Sequence, residues 1–194
     1  MEASRNILLI IILFIFSINL ISALEKTSVE FIRTSCSSTS YPTLCFSSLS
    51  AQARAIQTSP KLLAQMALSV TLAATSSTSS TMVKLSQVGG LTHREVAAMK
   101  DCIELLSDSV YELKRSIGEI SQPGSKDSGL VINDIQTWVS ATLTNEDTCS
   151  EGFSKDPTMK SVVRGKIVNA AHLASNALGL INSYASLRHV VQGN

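Results

Sequence analysis

Four cysteines, three histidines and a row of acids are this chain's candidates for crosslinking, metal ligation or acid–base work. Cys36 and Cys45 bracket the stretch "SCSSTSYPTLC", a Ser/Thr run too polar to bury itself, and Cys102 and Cys149 follow much later. Zinc ligation would need short spacings of about two to four residues. The cysteines lack them, and His93, His172 and His189 supply no matching set. Nucleophilic or metal-assisted catalysis has no signature either, since the chain contains no Gly-x-Ser-x-Gly elbow, no Gly-rich phosphate loop and no His-Glu-x-x-His. His172, set among alanines, reads as a surface or partly packed residue with no identifiable catalytic partner. These observations point to a protein that is not an enzyme, with no metal and no cofactor, whose cysteines form disulfides. Four cysteines allow three pairings. If Cys36 pairs locally with Cys45, Cys102 is left with Cys149, and chain entropy makes the short bridge worth about 2.5–3 kcal/mol and the long one about 4.

The acids Asp101, Glu104, Asp108 and Glu112 form the second pattern. At about 100° per residue they share a helical sector of about 80°. A solvated helix exterior accounts for them, because Arg94 and Arg115 lie in the same sector and partly neutralise it. The sharper reading is a stripe that faces a protein partner, where carboxylates add association rate and pH dependence more than raw affinity.

Disulfides imply an oxidising compartment, and the N-terminus agrees. Residues Ile7 to Phe16 are unbroken apolar, follow a short polar start and lead to small residues at Ser22 and Ala23. This reads as a secretory signal over 1–23, cleaved after Ala23. A membrane anchor is disfavoured because Ser17 and Asn19 interrupt an apolar zone already shorter than the ~20 residues a span requires. No later segment approaches that length and no retention signal closes the chain, so the expected destination is the extracellular space, with no membrane contact after signal removal. The net charge of +1 gives no reason to expect a nucleic-acid partner.

The elements that must position these residues are helices. Only four prolines and nine glycines punctuate the chain, and aromatics make up 5%, which favours an all-α fold over a β-sandwich. Val96, Met99, Ile103, Leu106, Val110, Leu113, Ile117 and Ile120 recur in steps of three and four, nearly opposite the acids. Thr92 and Glu95 have the spacing of a capping box, Leu91 and Val96 that of a hydrophobic staple, and Gly89–Gly90 supply the preceding turn. A second seam runs Val163, Ile167, Ala170, Ala174, Ala177, Ile181 and Tyr184, behind Asp156 as N-cap and Pro157 at the first helical position. Between them, after the loop-rich "SQPGSKDSG", a helix from Ser128 to Phe153 is expected to bury Val131, Ile135, Trp138, Thr142 and Cys149. That reading makes Trp138 a core residue rather than a sugar-stacking platform. The remaining helix starts at Ser59–Pro60 and offers Leu63, Met66, Ala67, Val70 and Ala74. It is expected to continue through "TSSTSST", although such residues compete with the helix by bonding to their own backbone, since Leu85 and Val88 resume the pattern. The result is an up-down-up-down four-helix bundle over 59–190. A helical hairpin arm over 30–58 precedes it, broken at Tyr41–Pro42 between its two cysteines.

The pieces "IRTSCSSTSYPTLC", "ALSVTLA", "MKDCIELLSDSVYELKRSI" and "IQTWVSATLTNEDTCSEGF", in this order, give the chain a resemblance to the plant invertase and pectin methylesterase inhibitors. The resemblance spans essentially all of 24–194. It implies a secreted bundle with an N-terminal hairpin, bridged first-to-second and third-to-fourth cysteine, that inhibits a cell-wall carbohydrate enzyme by binding it as a protein. The invertase arm of that family is known for a Pro-Lys-Phe element before the third bundle helix, where this chain has Gln122, Pro123, Gly124, Ser125 and Lys126. The departure favours pectin methylesterase as the partner, with invertase as the alternative target and a small-molecule or lipid carrier as a reading from another class. No catalytic domain follows Asn194, so a free-standing inhibitor is expected rather than an enzyme's pro-region. On this reading the inhibitory face joins Asp101, Glu104, Asp108 and Glu112 to the polar run Thr144, Asn145, Glu146 and Thr148, held by the inferred Cys102–Cys149 bridge and covering the substrate cleft of the enzyme.

Overall fold

The structure, a computed structural model, describes residues 2–122 and 129–192. Helix α1 (Glu2–Cys36) runs unbroken across the expected cleavage point and ends where Cys36 bonds to Cys45 on α2 (Pro42–Leu49). A single 3₁₀ turn (Ser50–Gln52) and α3 (Ala53–Ile56) complete the arm. Four long helices follow: α4 (Pro60–Ser86), α5 (His93–Ser121), α6 (Gly129–Glu151) and α7 (Pro157–Gln192). Each packs against two neighbours, α4 on α5, α5 on α6, α6 on α7 and α7 on α4, which closes the expected bundle. Of the "SQPGSKDSG" linker, Ser121 closes α5 and Gly129 opens α6, while 123–128, which hold most of the departure from Pro-Lys-Phe, lie outside the described residues. Among the described residues no helix is long and apolar enough to cross a membrane.

Local chemistry sets the helix starts. Ser59 caps α4 by accepting from Leu62 N–H, with Pro60 directly behind it. Thr92 and Glu95 form the full reciprocal capping box of α5, and Asp156 Oδ1 accepts from Met159 N–H at 2.9 Å at the start of α7. Gly90, at φ 94°, makes the left-handed turn between α4 and α5 that a side chain would oppose. Leu91 is half-buried but Val96 is 52% exposed, so the expected staple does not close over the cap.

The core is two apolar clusters separated by a polar waist. At one end Ile32, Cys36, Cys45, Leu49 and Ile56 of the arm pack with Leu63, Leu68, Leu113, Ile135, Val139 and Ile181 of the bundle. The polar arm therefore seals the bundle by sharing its core. At the other end Met82, Met99, Cys102, Leu106, Cys149, Phe153, Val163 and Ile167 form the second cluster. Between them lie Thr71, Thr75 and Thr78 on α4, Ser109 on α5, and Thr142 and Glu146 on α6, all buried. On α7 the waist is lined by Ala170 and Ala174, whose small side chains admit the neighbouring helices closely. Most of the waist hydroxyls return to their own helix: Thr71 to Ala67 O, Ser109 to Leu105 O, Thr142 to Trp138 O. That back-bonding lets the Ser/Thr tract stay helical, as expected, and continues outside the core with Ser80 to Ser76 O and Thr81 to Ser77 O.

Two buried seams differ from the sequence reading. On α6 Ile132 and Val139 face the core, while Val131 and Trp138 are only partly buried. On α4 the inward positions are Leu63, Ala64, Ala67, Leu68, Thr71 and Thr75, with Met66, Val70 and Ala74 at the flanks. Both helices are apolar on more than one side, and the waist claims polar residues for the inside.

Candidate partner-binding face

Helix α5 carries its acids along the seam with α6. Asp101, Glu104 and Asp108 are exposed, as the helical sector required. Glu112 is half-buried because Asn145 of α6 lies over it, donating through Nδ2 to Glu112 Oε2 at 3.4 Å and to Ser109 Oγ at 3.3 Å. Burial raises the Glu112 carboxyl above its ordinary value and the Asp108 charge adds to this, while a hydrogen bond from Thr142 opposes both. One helical stretch toward the far end, Asp101 and Thr148 line the same groove of about 280 Å³ along the seam, with Arg94, Leu105 and Gly152 beside them. The Cys102–Cys149 bond lies beneath it, with Cα atoms 4.4 Å apart, so the two helices cannot separate there.

The structure thus brings Asp101 together with Thr148 and Glu112 together with Asn145. Thr144 is also exposed, its hydroxyl returned to Ser140 O, and Thr148 in turn bonds Thr144 O. Glu146 does not belong to this face. It is 0% exposed and points into the waist, because Val139, Thr142, Glu146 and Cys149 fall on one stripe and Cys149 must reach Cys102 inside the bundle. Assigning it to the outer polar run was wrong by a third of a helical turn.

The sequence reading missed an aromatic and cationic patch on the same seam. The Arg115 guanidinium sits 4.1 Å over the Trp138 ring and 5.8 Å from that of Tyr111, which is 62% exposed. Trp138 is therefore a half-buried residue capped by arginine across α5–α6, and neither a core residue nor an open sugar platform. The signal available in sequence was Tyr111 and Arg115 at i, i+4. His172, by contrast, is accounted for structurally: its ring stacks on Tyr41 at 3.6 Å between centroids. Asn176 clamps the Tyr41 backbone by accepting from its N–H and donating to its carbonyl, which pins the arm to α7.

Comparison with known proteins gives the same fold and a family. The family model described as "Plant invertase/pectin methylesterase inhibitor" matches residues 30–180. The chain is 47% identical to Pectinesterase inhibitor 10 of Arabidopsis thaliana over 84% of its own length, spanning about half, 53%, of that relative. It is 42% identical to Pectinesterase inhibitor 11 of the same plant, with 83% of each chain covered. Pectinesterase 2 of Arabidopsis thaliana is 34% identical over 84% of this chain, which matches only 29% of that longer protein. Among solved structures, a pectin methylesterase inhibitor from Arabidopsis superposes with a TM-score of 0.61 at 22% identity, covering 76% of this chain and 92% of that one.

Proposed function

The chain belongs to the plant invertase/pectin methylesterase inhibitor family, and from that premise we propose that it is a secreted protein inhibitor of pectin methylesterase. The observation that carries the reading is the 42% identity with Pectinesterase inhibitor 11 across most of both chains. The geometry supports a face for it. The seam of α5 and α6 is pre-assembled by the Cys102–Cys149 bond, so association orders little that is not already ordered. It presents exposed Asp101, Glu104 and Asp108, the half-buried Glu112, and the polar side chains of Thr144, Asn145 and Thr148. Tyr111, Arg115 and Trp138 add the residue types that concentrate binding energy at protein interfaces. Docked over the substrate cleft of the enzyme, such a face blocks a polymer without entering the chemistry. Residues 1–23 act as the signal that brings the inhibitor to the cell wall.

The reading is tested by titrating the purified protein against a panel of pectin methylesterases and an invertase. Inhibition of the former alone is expected, and inhibition of invertase alone would reassign the target. The face is tested separately by the double substitution Asp108→Lys with Glu112→Lys, with helical circular dichroism checked first. Charge reversal against a basic rim should weaken binding by several kcal/mol, roughly a hundredfold or more. Unchanged inhibition would make the stripe a solvated surface. Because Glu112 loses its charge at a higher pH than an ordinary carboxyl, acidification should weaken its contact with a basic rim.

A further inference from the structure

Glu146 is the one buried acid among the described residues, and nothing in the proposed inhibition uses it. Its side chain is wholly buried between the two apolar clusters. Oε1 accepts a hydrogen bond from Thr75 Oγ1 of α4 at 3.3 Å, while Oε2 has no partner. Thr75 of α4 faces it, and the other buried waist side chains of α4 and α5 are the hydroxyls of Thr71, Thr78 and Ser109, none of which can neutralise a carboxylate. Charged groups lie on the other side, where Glu146 borders a groove of about 320 Å³ between α6 and α7. That groove holds Asp147 and Glu151 of α6, Arg164 and His172 of α7, and Tyr41 of the arm. Glu151 is held by Lys160 at 2.7 Å and His172 by its stack on Tyr41, whereas Arg164 makes no ion pair among the described residues.

We infer that Glu146 is a proton-operated joint: as the neutral acid it completes the waist, and as the carboxylate it is driven out of the waist into the α6–α7 groove that Arg164 lines. An isolated carboxylate among hydroxyls and alanines is costly to bury, and an orphaned oxygen has no bond to offset that cost. Burial accordingly pushes the carboxyl up to about 8, with the Thr75 bond opposing. The folded chain then holds a proton that the unfolded chain, titrating near 4.5, releases. Stability from this group is full in acid and falls as pH rises through that window, by up to tenfold in the folding constant per pH unit. Asn145, the next residue on the outer side, bonds Ser109 and Glu112, so expelling Glu146 also disturbs the α5–α6 seam.

The test needs no partner protein, so its failure is distinct from failure of the inhibitor reading. Urea unfolding of the whole secreted chain is measured from pH 5 to 9 for the parent and for Glu146→Gln. The parent's folding constant should fall across the range while the variant's stays flat by comparison. Parallel curves would overturn the inference. Carbon-13 NMR of the parent, labelled at Glu carboxyls, gives a second readout that survives a failure of the variant to fold: beyond the raised Glu112, one resonance should titrate near 8. If none titrates there, the joint does not exist. Arg164→Ala tests the exit route, since it should lower stability above pH 8 and leave it unchanged at pH 5; an equal change at both values would remove the groove from the mechanism.

Discussion

The two ends of the bundle and its middle are built on opposite principles. Each end is an apolar cluster containing one disulfide, Cys36–Cys45 beside Leu49 and Ile181, and Cys102–Cys149 beside Leu106 and Phe153. The middle has no crosslink and buries hydroxyls and an acid where a bundle of this kind would ordinarily bury leucine. Apolar burial and chain crosslinks are indifferent to pH, whereas a buried acid is not. Rigidity and responsiveness are thus assigned to different layers of one core.

The largest expected effect breaks the end clusters. Replacing Cys102 and Cys149 by serine removes the long crosslink and should cost about 4 kcal/mol, against about 2.5–3 for the same change at Cys36 and Cys45. Urea midpoints of the two double variants, at one pH, check the order. The first variant should also lose inhibition disproportionately, because it frees α5 from α6 beneath the Asp101–Thr148 groove. Equal losses in stability would mean that local packing, and not loop closure, sets the worth of each bridge.

A smaller effect lies at the capped end of α5. Thr92→Ala removes the hydroxyl that accepts from Glu95 N–H at 3.3 Å and donates to Glu95 Oε2 at 2.7 Å, leaving the backbone N–H of residue 92 to bond that carboxylate alone. A loss of about 0.5–2 kcal/mol is expected in urea unfolding at neutral pH, with the pH slope of stability in the alkaline direction left as in the parent. A changed slope there would tie the end of the bundle to the joint in the waist and blur the division between them.

How much of this was legible follows the same division. The seam of α7 reads directly from sequence, since Val163, Ile167, Ala170, Ala174, Ala177, Ile181 and Tyr184 are all buried as expected. So does the capping box, whereas the disulfide pairing was one of three until the family resemblance implied it. Helix α5 betrays itself because its polar and apolar sides are cleanly opposed, with Met99, Leu106, Leu113 and Ile120 inside. The waist was only partly legible: Thr142 was placed on the buried side of its helix, as it is, but hydrophobic periodicity leaves Thr75 and Glu146 off the apolar seams by their polarity. What could have placed Glu146 is the register of a neighbour: once Cys149 has to meet Cys102, the residues three and seven positions before it share its stripe. Trp138 was misplaced by the same preference for apolarity, and only the arginine across the seam explains its position.

Thr75→Val is the smallest change and the sharpest probe of the comparison. The substitution keeps the shape of the side chain and a β-branched residue on the helix, but deletes the one hydrogen bond that the Glu146 carboxyl receives among the described residues. In acid, where Glu146 is the neutral acid, the loss is that of one ordinary hydrogen bond, about 0.5–1.5 kcal/mol. The bond also favours the ionised form, so its removal should lift the Glu146 carboxyl further above the value of about 8 that burial gives it. The sign then follows from linkage. A higher folded-state value with the unfolded value unchanged extends the range over which the folded chain holds the extra proton. The decline in stability with rising pH therefore continues to a higher pH in the variant than in the parent, and the two curves diverge in alkali. Urea midpoints at pH 5 and at pH 9 decide it: a difference between parent and variant that grows with pH places the proton at Glu146, while a constant difference would mean that Thr75 contributes packing alone and that the waist is as indifferent to pH as the ends.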